Sequence, residues 1–166
     1  MFRNVFEAKH YALSWFEIIH WRGLKSNTDR RITMIILHKV FHFCAAHRYW
    51  NPEMSAAENL ATFGEDVRLH GHNYKLVISV TGPLDERTGF VADLGRLKQL
   101  VGERVIAELD HKQIETEVEW FRTRQPSTEN LVRWIWERLQ TPELGCQLVR
   151  VRLHETESIY TDYVDG

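Results

Sequence analysis

The stretch RLHGHNYKL, residues 68–76, sets two histidines two positions apart at the mouth of a β-branched and aromatic run. On a strand, residues i and i+2 point to the same side, so His70 and His72 can turn both imidazoles toward one ion. Gly71 between them lets a second backbone approach closely. A third ligand is needed. His47, at the end of an earlier strand-like run in FCAAHR, supplies it if the two runs pair. Three neutral imidazoles suit Zn²⁺ at a catalytic site, with the fourth position open for water or substrate. By spacing alone an HxH pair is as often a chance surface pair as a metal site. The isolated histidines His10, His20, His38, His42 and His154 read as ordinary surface or core residues.

The elements that must position these residues follow from periodicity. The run 35–46 is β-branched and aromatic, with polar Lys39 and His42. Residues 51–64, NPEMSAAENLATFG, read as a polar insertion with a short helical patch. Residues 73–81 alternate as a strand and end at the Gly82-Pro83 turn signal. Asp93 can cap a helix over 94–109 with Leu94, Leu97, Val101, Val105 and Leu109 on one face. DHKQIETEVEWF reads as a connecting segment. Pro126-Ser127-Thr128 announces a second helix, whose stripe is Leu131, Ile135 and Leu139, widened by Trp134 and Trp136. Residues 147–153 alternate as a strand and SIYTDYV reads as a last one. The order is ββααββ, an α+β fold with an antiparallel sheet and two helices on one face. There is no internal repeat or low-complexity segment.

Residues 1–33 differ in character: KSNTDRRIT is polar, and no period of 2 or 3.6 is sustained before it. They read as an appendage of the kind an upstream start codon would add, with the domain running from Met34 to residue 166. The competing reading is an extra element packed on the domain. N-terminal sequencing of the native protein separates them, since recovery of Met1 or Phe2 rules out the later start.

Composition narrows the classes. With 166 residues, 43% of them hydrophobic, the chain can bury one ordinary core. Its 21 basic and 23 acidic residues leave a net charge of −2, which offers no electrostatic case for nucleic acid or an anionic membrane. No apolar run approaches the length of a membrane span, and the N-terminal residues lack the pattern of a secretory signal. Two distant cysteines, Cys44 and Cys146, fit a reducing cytoplasm better than a disulfide framework.

The segments FHFCAAHR, LHGHNYKL, LDHK, PSTENLVRWIW and VRLHET occur in that order. Together, over about residues 38–163, they resemble the 6-pyruvoyl-tetrahydropterin synthase family, which includes the 6-carboxytetrahydropterin synthases of queuosine biosynthesis. The resemblance implies the tunnelling fold, a ββααββ unit that assembles through its sheet edges into a homohexamer of two trimers with a barrel of strands. It implies His47, His70 and His72 as zinc ligands, Glu155 as the anchor of a pterin ring, and Thr128 and Glu129 as further substrate contacts. A carboxylate suits the pterin, whose amino-pyrimidinone edge offers adjacent N–H donors. Without the family, Glu155 reads as a solvated charge and Ser127, Thr128 and Glu129 as a helix cap. Asp110-His111 matches the family's acid/base pair. Neighbouring residues do not pair through regular geometry, so either a bend joins them or they act separately.

One departure stands out. The family places a catalytic cysteine just before HGH, whereas this chain reads FGEDVRLHGH. Asp66 occupies that position, or Glu65 if the shorter loop shifts the alignment. An ordinary aspartate, with pKa about 3.9 against about 8.5 for cysteine, is a far weaker base at neutral pH, so three outcomes stand open: Asp66 or Glu65 replaces the thiolate as catalytic base, the proton goes directly to His111, or the chemistry changes. Cys44 does not match, and strand alternation turns it away from His47, as a small core residue. The expected substrate is 7,8-dihydroneopterin triphosphate, giving a pyruvoyl or carboxy pterin, or a hydroxymethyl pterin by side-chain cleavage. MSAAENLATFG and EVEWFRTRQPSTEN sit closer to the pyruvoyl-type members. The rivals are a non-catalytic pterin- or zinc-binding homologue and a zinc hydrolase, the latter weakened by the lack of an HExxH helix. Arg48, Lys75, Lys112 and Arg152 are the candidate triphosphate contacts.

Overall fold

The computed structural model describes residues 34–164. The expectation for residues 1–33 therefore lies outside the described residues. Five strands form one sheet in the order β3-β1-β2-β4-β5. They are β1 (Ile36–His47), β2 (His70–Thr81), β3 (Lys112–Gln113), β4 (Gln147–His154) and β5 (Tyr160–Val164). The pairs β1–β2, β2–β4 and β4–β5 are antiparallel, while the two-residue β3 runs parallel to β1. This parallel edge strand was not expected. It comes from DHKQIETEVEWF, where two residues carry too little pattern to announce a strand and only the neighbouring β1 edge makes one.

Side-chain alternation divides the sheet. Phe43, Ala45 and His47 of β1 and Tyr74, Leu76, Ile78 and Val80 of β2 are buried. Against this face pack α2 (Leu94–Val101) and α3 (Thr128–Leu139), whose Leu97, Leu100, Val101, Leu131, Trp134, Ile135 and Leu139 complete the core. An earlier helix, α1 (Ala56–Phe63), fills the polar insertion. Its Ser55 and Glu58 form a reciprocal capping box, and buried Asn59 satisfies its side chain on the backbone of Asn51, Met54 and Ser55.

Helix α2 is capped by Asp93, which accepts from the N–H groups of Gly95 and Arg96. It continues through a π-helical turn, Gly102–Ile106, into a last turn, Ala107–Leu109. The π turn has a sequence cause. Leu97, Val101, Val105 and Leu109 repeat every four residues, which overshoots the 3.6-residue helical turn, and a wider turn absorbs the excess and keeps all four buried. Leu94 departs from the expected stripe. It is exposed, since it stands directly after the cap residue Asp93 and the buried stripe starts one turn later, at Leu97. No helix of the described residues is long and apolar enough to cross a membrane.

Candidate metal centre

The β1–β2 register sets His47 opposite His70 and Ala45 opposite His72, so the three expected ligands meet at one end of the pair. One ring nitrogen from each lies within 4.8 Å of the others. Gly71 faces the Ala45 carbonyl so closely that a β-carbon there would sit 3.2 Å from the oxygen, which accounts for glycine between the histidines.

Two backbone carbonyls orient the rings. Nδ1 of His47 lies 2.9 Å from the Pro126 carbonyl, and Nδ1 of His70 lies 2.8 Å from that of Arg68. A carbonyl can only accept, so Nδ1 carries the proton in each ring and Nε2 is left with a free lone pair. The Nε2 atoms of His47 and His72 are buried and have no hydrogen-bond partner. Burial holds both of these histidines below the ordinary imidazole range, and the crowding of imidazoles in the cluster, where a second proton would meet a first, adds to the effect. Neutral, oriented imidazoles with unpartnered lone pairs are what a borderline divalent cation needs, so the residues fit the metal site that the spacing predicts.

Glu155 sits at the same point. Its Oε1 is 3.4 Å from Nε2 of His47 and 3.6 Å from Nε2 of His72, and it is also buried without a hydrogen bond. Burial pushes this carboxyl up, partly offset by His70. The expectation of a solvated charge therefore fails, since β4 ends inside the site. Tyr74 completes the floor with a buried, unpartnered hydroxyl. Thr128 is buried at the head of α3, and its hydroxyl lies 2.8 Å from that of Thr161 on β5. Ser127 is the cap of this helix. Glu129 is close enough to Glu155 to raise it electrostatically, so the head of α3 borders the centre. Asp66 lies on the short turn before β2, exposed and 4.0 Å from Nε2 of His70. Glu65 pairs instead with Arg68.

Asp110 and His111 stand apart from this centre, at the β1 edge where β3 begins. Asp110 accepts from the Cys44 N–H at 2.9 Å through one oxygen and lies 3.0 Å from Nδ1 of His111 through the other. The Cys44 N–H, with His111 beside it, holds the Asp110 carboxyl below the usual range. His111 takes φ +60°, which turns its ring back onto its neighbour, so the pair meets through a bend. Cys44 corrects an expectation. It does face away from His47, but it is only half buried, and its sulfur shares a cluster with Asp110 and His111. Cys44 lies on the sheet face opposite buried Phe43 and Ala45, so its side chain is not in the core.

Among the expected triphosphate contacts, Arg152 is held by both oxygens of Asp162 and Lys112 by Glu117. Arg48 stacks on Trp50. Pattern reading missed the carbonyls of Pro126 and Arg68, since a backbone acceptor leaves no mark on residue type.

Known proteins resemble this chain along most of its described length. The family model for 6-pyruvoyl tetrahydropterin synthase matches residues 36–165. The chain is 40% identical over 127 residues to a Drosophila melanogaster 6-pyruvoyl tetrahydrobiopterin synthase, covering 73% of this chain and 74% of the relative. It is 37% identical over 139 residues to the Homo sapiens protein of that name, covering 82% of this chain and 90% of the relative. The solved structure of Caenorhabditis elegans 6-pyruvoyl tetrahydropterin synthase superposes with a TM-score of 0.73 at 31% identity, covering 81% of this chain and 97% of that one. A metal-ready histidine centre on this sheet, and likeness along nearly all of the described residues, lead to one conclusion: the chain belongs to the 6-pyruvoyl tetrahydropterin synthase family.

Proposed function

We propose that the protein is a zinc-dependent pterin synthase, a lyase acting on 7,8-dihydroneopterin triphosphate to give a 6-pyruvoyl tetrahydropterin. The observation that carries this reading is the convergence of His47, His70 and His72, two of them with buried, unpartnered Nε2 atoms, directly beside Glu155. His47, His70 and His72 would hold the zinc. Bound there, it would supply Lewis-acid polarisation of side-chain oxygens. Glu155 orients the pterin by accepting from adjacent N–H groups of the ring, a task helped by its enclosure. Thr128 and Glu129 border the same space from the head of α3. The Asp110–His111 pair carries protons, with Asp110 fixing the ring by accepting from Nδ1 and leaving Nε2 to exchange with substrate.

Assembly belongs to the same proposal. Among the described residues β1 has a partner on its outer side only at Ala45 and Ala46, and β5 pairs only with β4. Two open edges favour a ring of copies, the homohexamer of the family, which would cover both. The two unbridged thiols suit a cytoplasmic setting.

A second reading follows from Asp66, a carboxylate beside His70 where the family has a thiol. It is side-chain cleavage to a hydroxymethyl pterin. Mass spectrometry of products from zinc-loaded protein and 7,8-dihydroneopterin triphosphate distinguishes the two. A pyruvoyl product in the parent, with little change in Asp66→Ala, supports the main reading. A hydroxymethyl product lost in Asp66→Ala supports the second. Zinc and substrate bound without turnover would mean a binding protein and overturn both.

A further inference from the structure

At the other end of β1 from the histidine centre, a cavity of about 490 Å³ lies on the sheet face opposite the core. Ile36 and His38 of β1, Ser79 of β2, Val149 and Arg150 of β4 and Val164 of β5 line it. His38 precedes His47 on the same strand, and at about 3.3 Å per residue the cavity is about 30 Å from the metal cluster. A register shift shapes it. Ser79 pairs with Arg150 and Val80 with Leu148, which leaves Val149 without a cross-strand partner. Such a bulge bends the strand and re-aims a side chain, and here Val149 and Arg150, successive in sequence, both line the cavity.

Arg150 is the chemically open group. Its Nε is buried and has no hydrogen-bond partner among the described residues. Asp162, the acidic residue of neighbouring β5, gives both of its oxygens to Arg152, at 2.7 and 2.6 Å. A buried guanidinium N–H left unpaired is costly, so it marks a place where an acceptor belongs. Ser79 is fully buried, and its hydroxyl lies 2.8 Å from Nδ1 of His38. That contact holds the imidazole at the cavity wall. Where the hydroxyl donates, the ring hydrogen is on Nε2, which then joins Arg150 as a donor. Along β2, β4 and β5 this face carries Lys75, Arg150 and Arg152 against one carboxylate, Asp162, so its field favours anions. Ile36, Val149 and Val164 make the remaining wall apolar.

We propose that this cavity binds a small amphipathic anion, with a carboxylate or phosphate headgroup held by Arg150 and His38 and an apolar body lying against Ile36, Val149 and Val164. The planar guanidinium matches the paired oxygens of either headgroup. The volume is within the usual range of small-ligand sites, roughly 300–1,000 Å³. The inference stands apart from the pterin synthase reading, since the cavity shares no residue with the histidine cluster.

The test is calorimetric titration of zinc-loaded full-length protein with hexyl phosphate, hexanoate and inorganic phosphate. At least one of the two chain-bearing anions should bind at a single site per chain, and the tighter of them identifies the headgroup. Inorganic phosphate, which has no apolar body, should bind at least about tenfold more weakly. Arg150→Met should weaken binding at least about tenfold, with bound zinc and thermal midpoint at the parent values. Val164→Trp, which fills the cavity from an exposed position, should do the same without touching the headgroup site. Binding should survive removal of zinc with EDTA. Heat that disappears with the metal and ignores Arg150→Met would overturn the proposal, because the anion would then sit at the histidine centre. Equal affinity for inorganic phosphate and hexyl phosphate would overturn it as well, as would unchanged binding in both variants. No binding by the parent protein would also sink it, and a smaller particle by light scattering in Arg150→Met would then assign the cavity to a second copy of the chain. Turnover of the pterin substrate is measured separately on the same samples, so failure here leaves that reading where it stands.

Discussion

At the scale of single residues, the centre rests on burial, which keeps His47 and His72 uncharged, and on backbone carbonyls, which aim His47 and His70. His47 shows both halves: the Pro126 carbonyl fixes Nδ1–H, and burial keeps the ring uncharged. Substituting alanine for any of His47, His70 or His72 should lower bound zinc from near one per chain by at least about tenfold in affinity, read by competition with a chromogenic chelator. The metal-stripped protein has a pH signature. An unfolded histidine takes its proton near 6.5, while buried His47 still refuses it. The unfolded state therefore binds more protons as pH falls through 6.5, and the fold loses stability down to the lowered value, below which the loss is constant. Glu155 acts oppositely but nearer the ordinary carboxyl range of 4.5, where its raised value favours the fold as pH drops. Urea midpoints in EDTA should fall between pH 7.5 and 5.5, and fall less in His47→Gln. Equal slopes in the two proteins would refute the assignment.

At the scale of elements, two strand ends and one helix start build the site. The antiparallel register places His47 against His70, and a slip of one residue would send the ligands to opposite faces. Helix α3 begins at Ser127, whose side chain accepts from the Asn130 N–H, and the residue just before it carries the carbonyl that holds His47. The cap and the ligand are thus coupled. Ser127→Ala should cost about 1 kcal/mol of stability, seen as a lower thermal midpoint, and should weaken zinc binding as well. A stability loss with unchanged zinc affinity would show that Pro126 is held by the loop and not by the cap.

At the scale of the whole molecule, the open edges of β1 and β5 call for company. Light scattering on the eluting protein should give the mass of a homohexamer. A Val40→Pro substitution, which bars an edge hydrogen bond, should shift it toward smaller species. A parent protein that elutes as a monomer with full activity would overturn the assembly proposed here.

The sequence alone determined a good deal. The HGH spacing, the run ending in His47 and the two apolar stripes are local patterns, and apart from Leu94 their side chains share the faces that period dictates. The helix cap at Asp93 was equally legible, since the capping group and its N–H partners are close in the chain. Other features were decided only in three dimensions. β3 exists because the β1 edge was there to receive it. Glu155 became part of the centre because β4 carries it across the sheet to histidines far away in sequence. Cys44 read as core until the bend at His111 brought an imidazole and a carboxylate to its side. Periodicity reports the face a side chain occupies, but what covers that face, and what charge waits there, depends on contacts between segments that no local pattern records.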